Sequence, residues 1–74
     1  MGFVLSLEER EYLTSLIEGR IEGLKGLYKS GKVTKEVIAQ EVFIIISIVM
    51  KLELDLYKIR IAFEGLLDEM MKRH

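Results

Sequence analysis

An unbroken apolar repeat in the second half of the chain constrains the fold more than any other feature. Ten apolar residues, which we call the seam, follow one another at alternating four- and three-residue steps: Ile38, Val42, Ile45, Val49, Leu52, Leu56, Ile59, Phe63, Leu66 and Met70. This spacing is typical of α-helices that pack side by side along one apolar stripe. With Thr34 as an N-terminal cap, it predicts a single long helix over residues 35–72.

Part of the seam also fits a second interpretation. Apolar residues at every second position, the period of a β-strand, occur at Leu52, Leu54 and Leu56 and again at Ile59, Ile61 and Phe63. We favour the helix because the seam runs straight through this stretch and no turn residue interrupts residues 50–64. Whether the helix bends near Lys51 stays open at this point.

A first helix is predicted over residues 7–29. Ser6 and Glu9 form a capping box, in which each side chain satisfies a free backbone amide of the other residue. Gly31 suits the left-handed position that often ends a helix. A turn is therefore expected at residues 30–33, and a turn this short makes the two helices antiparallel neighbours.

The unequal lengths of the two predicted helices leave part of the seam uncovered. Residues 35–72 would form a helix of about 57 Å and residues 7–29 one of about 35 Å, so the first cannot cover the second. The far half of the seam would face water unless the second helix folds back or another chain covers it. The chain has 74 residues, 50% of them hydrophobic, and no cysteine, so it must be stabilised by packing alone.

We therefore expect one all-α domain, residues 1–74, built as a two-helix antiparallel hairpin with a long second helix. Two such hairpins would dimerise into a four-helix bundle. The predicted dimer core consists of eight seam residues: Val42, Ile45, Val49, Leu52, Leu56, Ile59, Phe63 and Leu66.

The most apolar segment is residues 42–50, VFIIISIVM, in which apolar side chains occur all round the helix. It has about half of the ~20 residues needed to cross a bilayer, so a surrounded core segment is the better interpretation. No secretory signal is recognised at the N-terminus. We expect a cytoplasmic protein with no membrane partner.

Two features of the first helix stand out from a plain amphipathic pattern. Gly19, Gly23 and Gly26 line one side of it, although each glycine costs about 1 kcal/mol relative to alanine in a helix interior. They predict close packing of another helix, and a docking groove is the alternative. Arg20 lies within the apolar stripe, opposite Glu41 in an antiparallel hairpin. A partly buried ion pair that fixes the helix register is expected, and an anion-binding arginine is the alternative.

The residue types in the sequence do not indicate a catalytic site. The only histidine is His74 at the chain end, and no phosphate-binding glycine motif is present. No catalytic residue, metal site or cofactor is predicted, so the protein is not expected to be an enzyme. Eleven basic residues balance twelve acidic ones, which makes nucleic acid an unlikely partner.

In overall build, the hairpin with Gly31 at its turn and KLELDLY at residues 51–57 resembles the Rop-type family of plasmid two-helix hairpins. It also resembles the small dimeric hairpin proteins of hyperthermophilic archaeal viruses. The first resemblance implies an RNA-binding four-helix bundle, and the second implies an adaptor. Rop-type proteins bind RNA through one basic and aromatic face, whereas here Arg10, Arg20 and Lys25 are interleaved with acids.

A second, partial resemblance is to the Spo0E-like aspartyl-phosphate phosphatases, small helical hairpins that carry an S-Q-E-L-D motif. In this chain Gln40 and Glu41 match, but Ala39 replaces the serine and Phe43 replaces the essential acid. The resemblance therefore implies docking to a regulator without catalysis. The leading hypothesis is a small dimeric adaptor or regulator that acts through protein–protein contacts; a Rop-like nucleic-acid-binding bundle is the runner-up.

Overall fold

Three α-helices make up the chain. The computed structural model describes residues 4–72, with α1 at Leu7–Lys29, α2 at Lys35–Leu52 and α3 at Leu56–Met71. The all-α class is confirmed, and so are the predicted bounds of the first helix. Residues 4–72 contain no strand, so the strand interpretation of residues 52–63 is wrong.

The predicted single helix over residues 35–72 is also wrong, because the chain turns back on itself at Glu53. This residue adopts the left-handed conformation, with φ 53° and ψ 48°. Its amide donates to the Met50 carbonyl at 3.4 Å, and the Leu54 amide donates to the Val49 carbonyl at 3.0 Å. This pair of hydrogen bonds is the Schellman motif, which ends a helix by satisfying its last free carbonyls.

The start of α3 has local signals of its own. The Asp55 side chain caps the helix by accepting a hydrogen bond from the Lys58 amide at 3.2 Å. Leu54 precedes the cap residue and Ile59 follows it by four positions, and both side chains are buried. These two positions are the ones that form a hydrophobic staple at the start of a helix. The capping role of Asp55 was missed from the sequence because its spacing from Lys51 and Lys58 also fits helical ion pairs.

The caps of α1 and α2 follow the sequence prediction. Ser6 Oγ accepts from the Glu9 amide at 3.1 Å, and Glu9 Oε1 accepts from the Ser6 amide at 2.8 Å. At the other end of α1, Gly31 has φ 76° and occupies the predicted left-handed position. The Thr34 hydroxyl accepts from the Val37 amide at 3.2 Å and so starts α2.

The core lies between all three helices. By the rise of 1.5 Å per residue, α2 is about 27 Å long and α3 about 24 Å, so α1 at about 35 Å can cover each of them. α1 packs chiefly against α3 and more loosely against α2. The buried apolar residues are Ile21, Leu24, Ile38, Ile45, Val49, Leu54, Ile59, Ala62 and Leu66.

Folding back changes the environment of the predicted dimer core. Ile45, Val49, Ile59 and Leu66 are buried within one chain, so their burial requires no second protomer. Val42, Leu52 and Phe63 are half-buried, and Leu56 is exposed. The two-helix hairpin is thus replaced by three helices, because the short α1 shields the seam only when the seam is divided into two pieces.

The turn at Glu53 can be tested by substitution. Glu53→Gly should raise the free energy of unfolding by about 0.5–1 kcal/mol, since the left-handed conformation strains an L-residue but not glycine. Glu53→Val should lower it, because a β-branched side chain tolerates this conformation least. Glu53→Gln is the control, since it removes the charge near Arg10 and keeps the backbone requirement. Urea unfolding that gave equal stabilities for the glycine and valine variants would contradict the turn.

Candidate functional site

An open apolar groove separates α2 from α3. The two helices make little direct contact, and the groove between them has a volume of about 540 Å³. Its walls are formed by Ile38, Ala39, Val42, Ile46, Val49 and Met50 of α2 and by Leu56, Ile59, Arg60, Phe63, Glu64, Leu66, Leu67 and Met70 of α3. Of these, only Arg60 and Glu64 carry charge, and they pair with each other at 3.2 Å on the surface. The groove can therefore accept apolar side chains.

The sequence of α2 explains why the groove exists. Since helical residues three, four and seven apart share a face, its non-core residues other than Lys35 and Glu41 fall into three strips. The groove flank is Ala39, Phe43, Ile46 and Met50; the polar strip is Glu36, Gln40, Ser47 and Lys51; the outer flank is Val37, Ile44 and Ile48. All of these residues are exposed. The apolar run that was expected to be surrounded is thus covered on its core side only.

Large side chains dominate both exposed flanks. Phe43 is 78% exposed and Met50 is 64% exposed on the groove flank. On the outer flank Ile44 is 56% exposed. Single exposed apolar residues are ordinary on a protein surface, but two contiguous strips on one helix mark contact surfaces.

Two ion pairs link α1 to α2 and to the turn that follows it. Arg20 Nε donates to Glu41 Oε1 at 3.2 Å, so the two residues meet, but the Arg20 side chain is 52% exposed and the pair lies at the surface rather than partly buried as expected. This hydrogen bond and the Glu41 charge raise the pKa of Arg20 above its ordinary value. Nearer the turn, Arg10 Nη1 donates to the Glu53 carbonyl at 3.2 Å, and Nη2 lies 4.0 Å from Glu53 Oε1. Sequence reasoning missed this second contact because it exists only once the chain turns at Glu53.

The glycine strip of α1 faces open space. A Cβ atom added at Gly19, Gly23 or Gly26 would have no heavy atom within 4 Å apart from its chain neighbours and the adjacent backbone of α1 itself. No helix within residues 4–72 therefore packs against this strip, so the expected close packing is not made by the described part of the chain, and packing or docking here would need another chain. A Cβ added at Gly65 of α3 would lie 3.9 Å from Lys25 Nζ, an ordinary van der Waals distance.

Two buried polar groups stand out from the apolar core. The Thr14 hydroxyl has no hydrogen-bond partner among the described residues; Thr14 lines a smaller pocket of about 270 Å³ beside Arg10, Glu53 and Lys58. Glu69 is 2% exposed; its Oε1 accepts from Lys72 Nζ at 3.4 Å, while Oε2 lacks a partner within residues 4–72. A buried carboxylate with one unpaired oxygen lowers the free energy of unfolding. No further observation within residues 4–72 indicates that Glu69 belongs to a binding or catalytic site.

Other site types were sought within residues 4–72. No three His, Cys, Asp or Glu side chains come together there in a way that could hold a metal ion. No helix in that range combines the length and the apolar character needed to cross a membrane. His74, interpreted above as part of the chain end, lies outside the described residues.

Comparison with known protein families, with curated proteins and with solved structures found no match to this chain. The candidate site therefore rests on the chain's own geometry: the groove, the exposed flanks of α2 and the glycine strip of α1.

The open surroundings of the glycine strip lead to a stability prediction. Gly23→Ala should raise the free energy of unfolding by about 0.4–1 kcal/mol, because alanine fits the helical backbone without a clash and loses less entropy on folding. Gly31→Ala should lower it by roughly 1–2 kcal/mol, because the left-handed backbone there disfavours a Cβ. Thermal melts of the two variants provide the measurement. A destabilised Gly23→Ala protein would indicate that another chain packs tightly on this strip.

Proposed function

We propose that this protein is a small, non-enzymatic adaptor or regulatory protein that acts by presenting two apolar helix surfaces to other protein chains. The observation that carries the proposal is the pair of exposed apolar flanks on α2. A helix needs one apolar stripe to attach it to its own domain, and α2 has that stripe in Ile38, Ile45 and Val49. The two further flanks are surplus to folding.

The polar strip between the flanks supports an adaptor role. Glu36, Gln40, Ser47 and Lys51 keep a hydrated band along α2. Two chains could therefore dock on the same helix, one on each side of this band, without competing for the same side chains. A protein that holds two chains at once in this way brings them together, which is how an adaptor acts.

The Rop-like alternative has less support. Binding to an RNA or DNA backbone draws its affinity from free arginines and lysines that contact phosphates. Here Arg10, Arg20 and Arg60 each pair with a nearby carboxylate, so a phosphate would have to displace an existing partner.

The outer flank offers a direct test of the adaptor function. The native chain, immobilised and exposed to a lysate of its source cells, should retain one or more proteins that Ile44→Glu loses by at least tenfold. The reason is that the carboxylate introduced at position 44 would be buried in an apolar interface without a charge or hydrogen-bond partner, which weakens binding. Ile61→Glu is the matched control: Ile61 is 52% exposed, against 56% for Ile44, and lies on α3 outside both flanks. Quantitative mass spectrometry of the retained proteins gives the readout.

Two results would contradict the adaptor function. One is an identical set of retained proteins for the native chain, Ile44→Glu and Ile61→Glu. The other is binding to RNA or DNA that falls steeply with salt concentration, which is the signature of phosphate contacts. Circular dichroism of each variant establishes that the helices are intact before the comparison is made.

A further inference from the structure

We infer that the groove flank of α2 pairs with the same flank of a second copy of this chain, the two α2 helices running antiparallel. The inference rests on the proposed function, because it names the occupant of one of the two surfaces proposed there. It places the self-association surface on Ala39, Phe43, Ile46 and Met50; three of these residues line the groove, and Phe43 lies beside them on the exposed surface of α2.

The side-chain sizes along this flank are complementary to themselves. The four residues are spaced by four, three and four positions, the repeat of a helix-packing stripe. When α2 is placed antiparallel to its copy about the middle of the flank, Ala39 faces the partner's Met50 and Phe43 faces the partner's Ile46. The smallest side chain thus faces a long, adaptable one at each end, which allows a close fit.

The charges on the polar strip are compatible with the same register. Glu36 and Lys51 are 15 residues apart in one helix, about 22 Å, so they cannot meet within a chain. In the antiparallel pair Glu36 comes beside the partner's Lys51, and the two-fold axis repeats this contact at the other end.

The groove would provide the rest of the contact area between the two copies of the chain. The same symmetry brings the partner's α2 alongside the groove, where Phe63 and Leu67 of α3 line the wall. α2 and α3 with their two copies then form a four-helix layer, and both α1 helices lie outside it. A stable interface needs about 800 Å² from each partner, which is about one seventh of the 5814 Å² surface of the chain.

A single aromatic residue gives the first test. The native chain should have twice the 8.6 kDa chain mass by sedimentation equilibrium. Phe43→Glu should raise the dimer dissociation constant by about 30-fold or more, because central aromatic anchors dominate such interfaces. Since Phe43 is 78% exposed in the single chain, the variant should keep its helices. Tyr12→Glu on α1, where Tyr12 is 67% exposed, is the matched control and should leave the mass unchanged.

Charge reversal tests the register. Glu36→Lys and Lys51→Glu should each weaken the dimer roughly tenfold at low salt, because two attractive contacts become repulsive. An equimolar mixture of the two single variants should recover native affinity as a heterodimer, in which both contacts are again attractive. The double variant should recover it as a homodimer. Glu22→Lys on α1 is the control for the change in net charge.

The outcomes separate this inference from the adaptor function. A monomeric native chain, an unaffected Phe43→Glu dimer, or a mixture of charge variants that fails to recover would overturn the antiparallel α2 pairing. None of these results changes the comparison of Ile44→Glu with Ile61→Glu, which concerns the opposite flank. If that comparison fails while the charge variants recover as a heterodimer, the pairing stands and the adaptor function falls.

Discussion

The left-handed turn at Glu53 is the constraint on which the rest of the structure depends. It divides the seam into two helices that α1 is long enough to cover, so that Leu54, Ile59 and Leu66 enter the core of a single chain. Burying a large aliphatic side chain contributes about 1.5–3 kcal/mol, whereas a left-handed L-residue costs roughly 1–2 kcal/mol. Burial of even two such residues therefore outweighs the local strain.

This division also determines which surfaces stay apolar. Most seam residues are buried or half-buried within the chain, and α1 packs most closely against α3. α2 is attached to α1 by a narrower core stripe and by the Arg20–Glu41 and Arg10–Glu53 ion pairs. Because α2 and α3 are held by α1 rather than by each other, a groove remains between them. Part of the apolar excess of the composition thus lies on the flanks of α2.

The flanks give the proposed function its physical basis. Apolar surface in water is unfavourable, and a small domain that exposes two strips of it on one helix gains stability when other chains cover them. The polar strip separates the two flanks, so that they face in different directions. Self-association on the groove side and partner binding on the outer side would use this single helix in two independent ways.

The sequence by itself determined the features that depend on neighbouring residues. The capping box of Ser6 and Glu9 and the turn at Gly31 were predictable because a cap involves residues only three or four positions apart. The meeting of Arg20 and Glu41 followed from the short turn between antiparallel helices. The surplus apolar sides of residues 42–50 were likewise visible in the helical period.

Only the tertiary structure decided how the seam is divided and where its surplus surface lies. At residues 50–56 the helical period and the signals of a turn compete, since Asp55 serves equally as a helix ion partner or as a cap. The choice depends on whether α1 covers the residues beyond the turn, and that is a long-range gain in burial which no local pattern records. The groove and the contact of Arg10 with Glu53 are consequences of that choice, so they could not be found before the chain was folded.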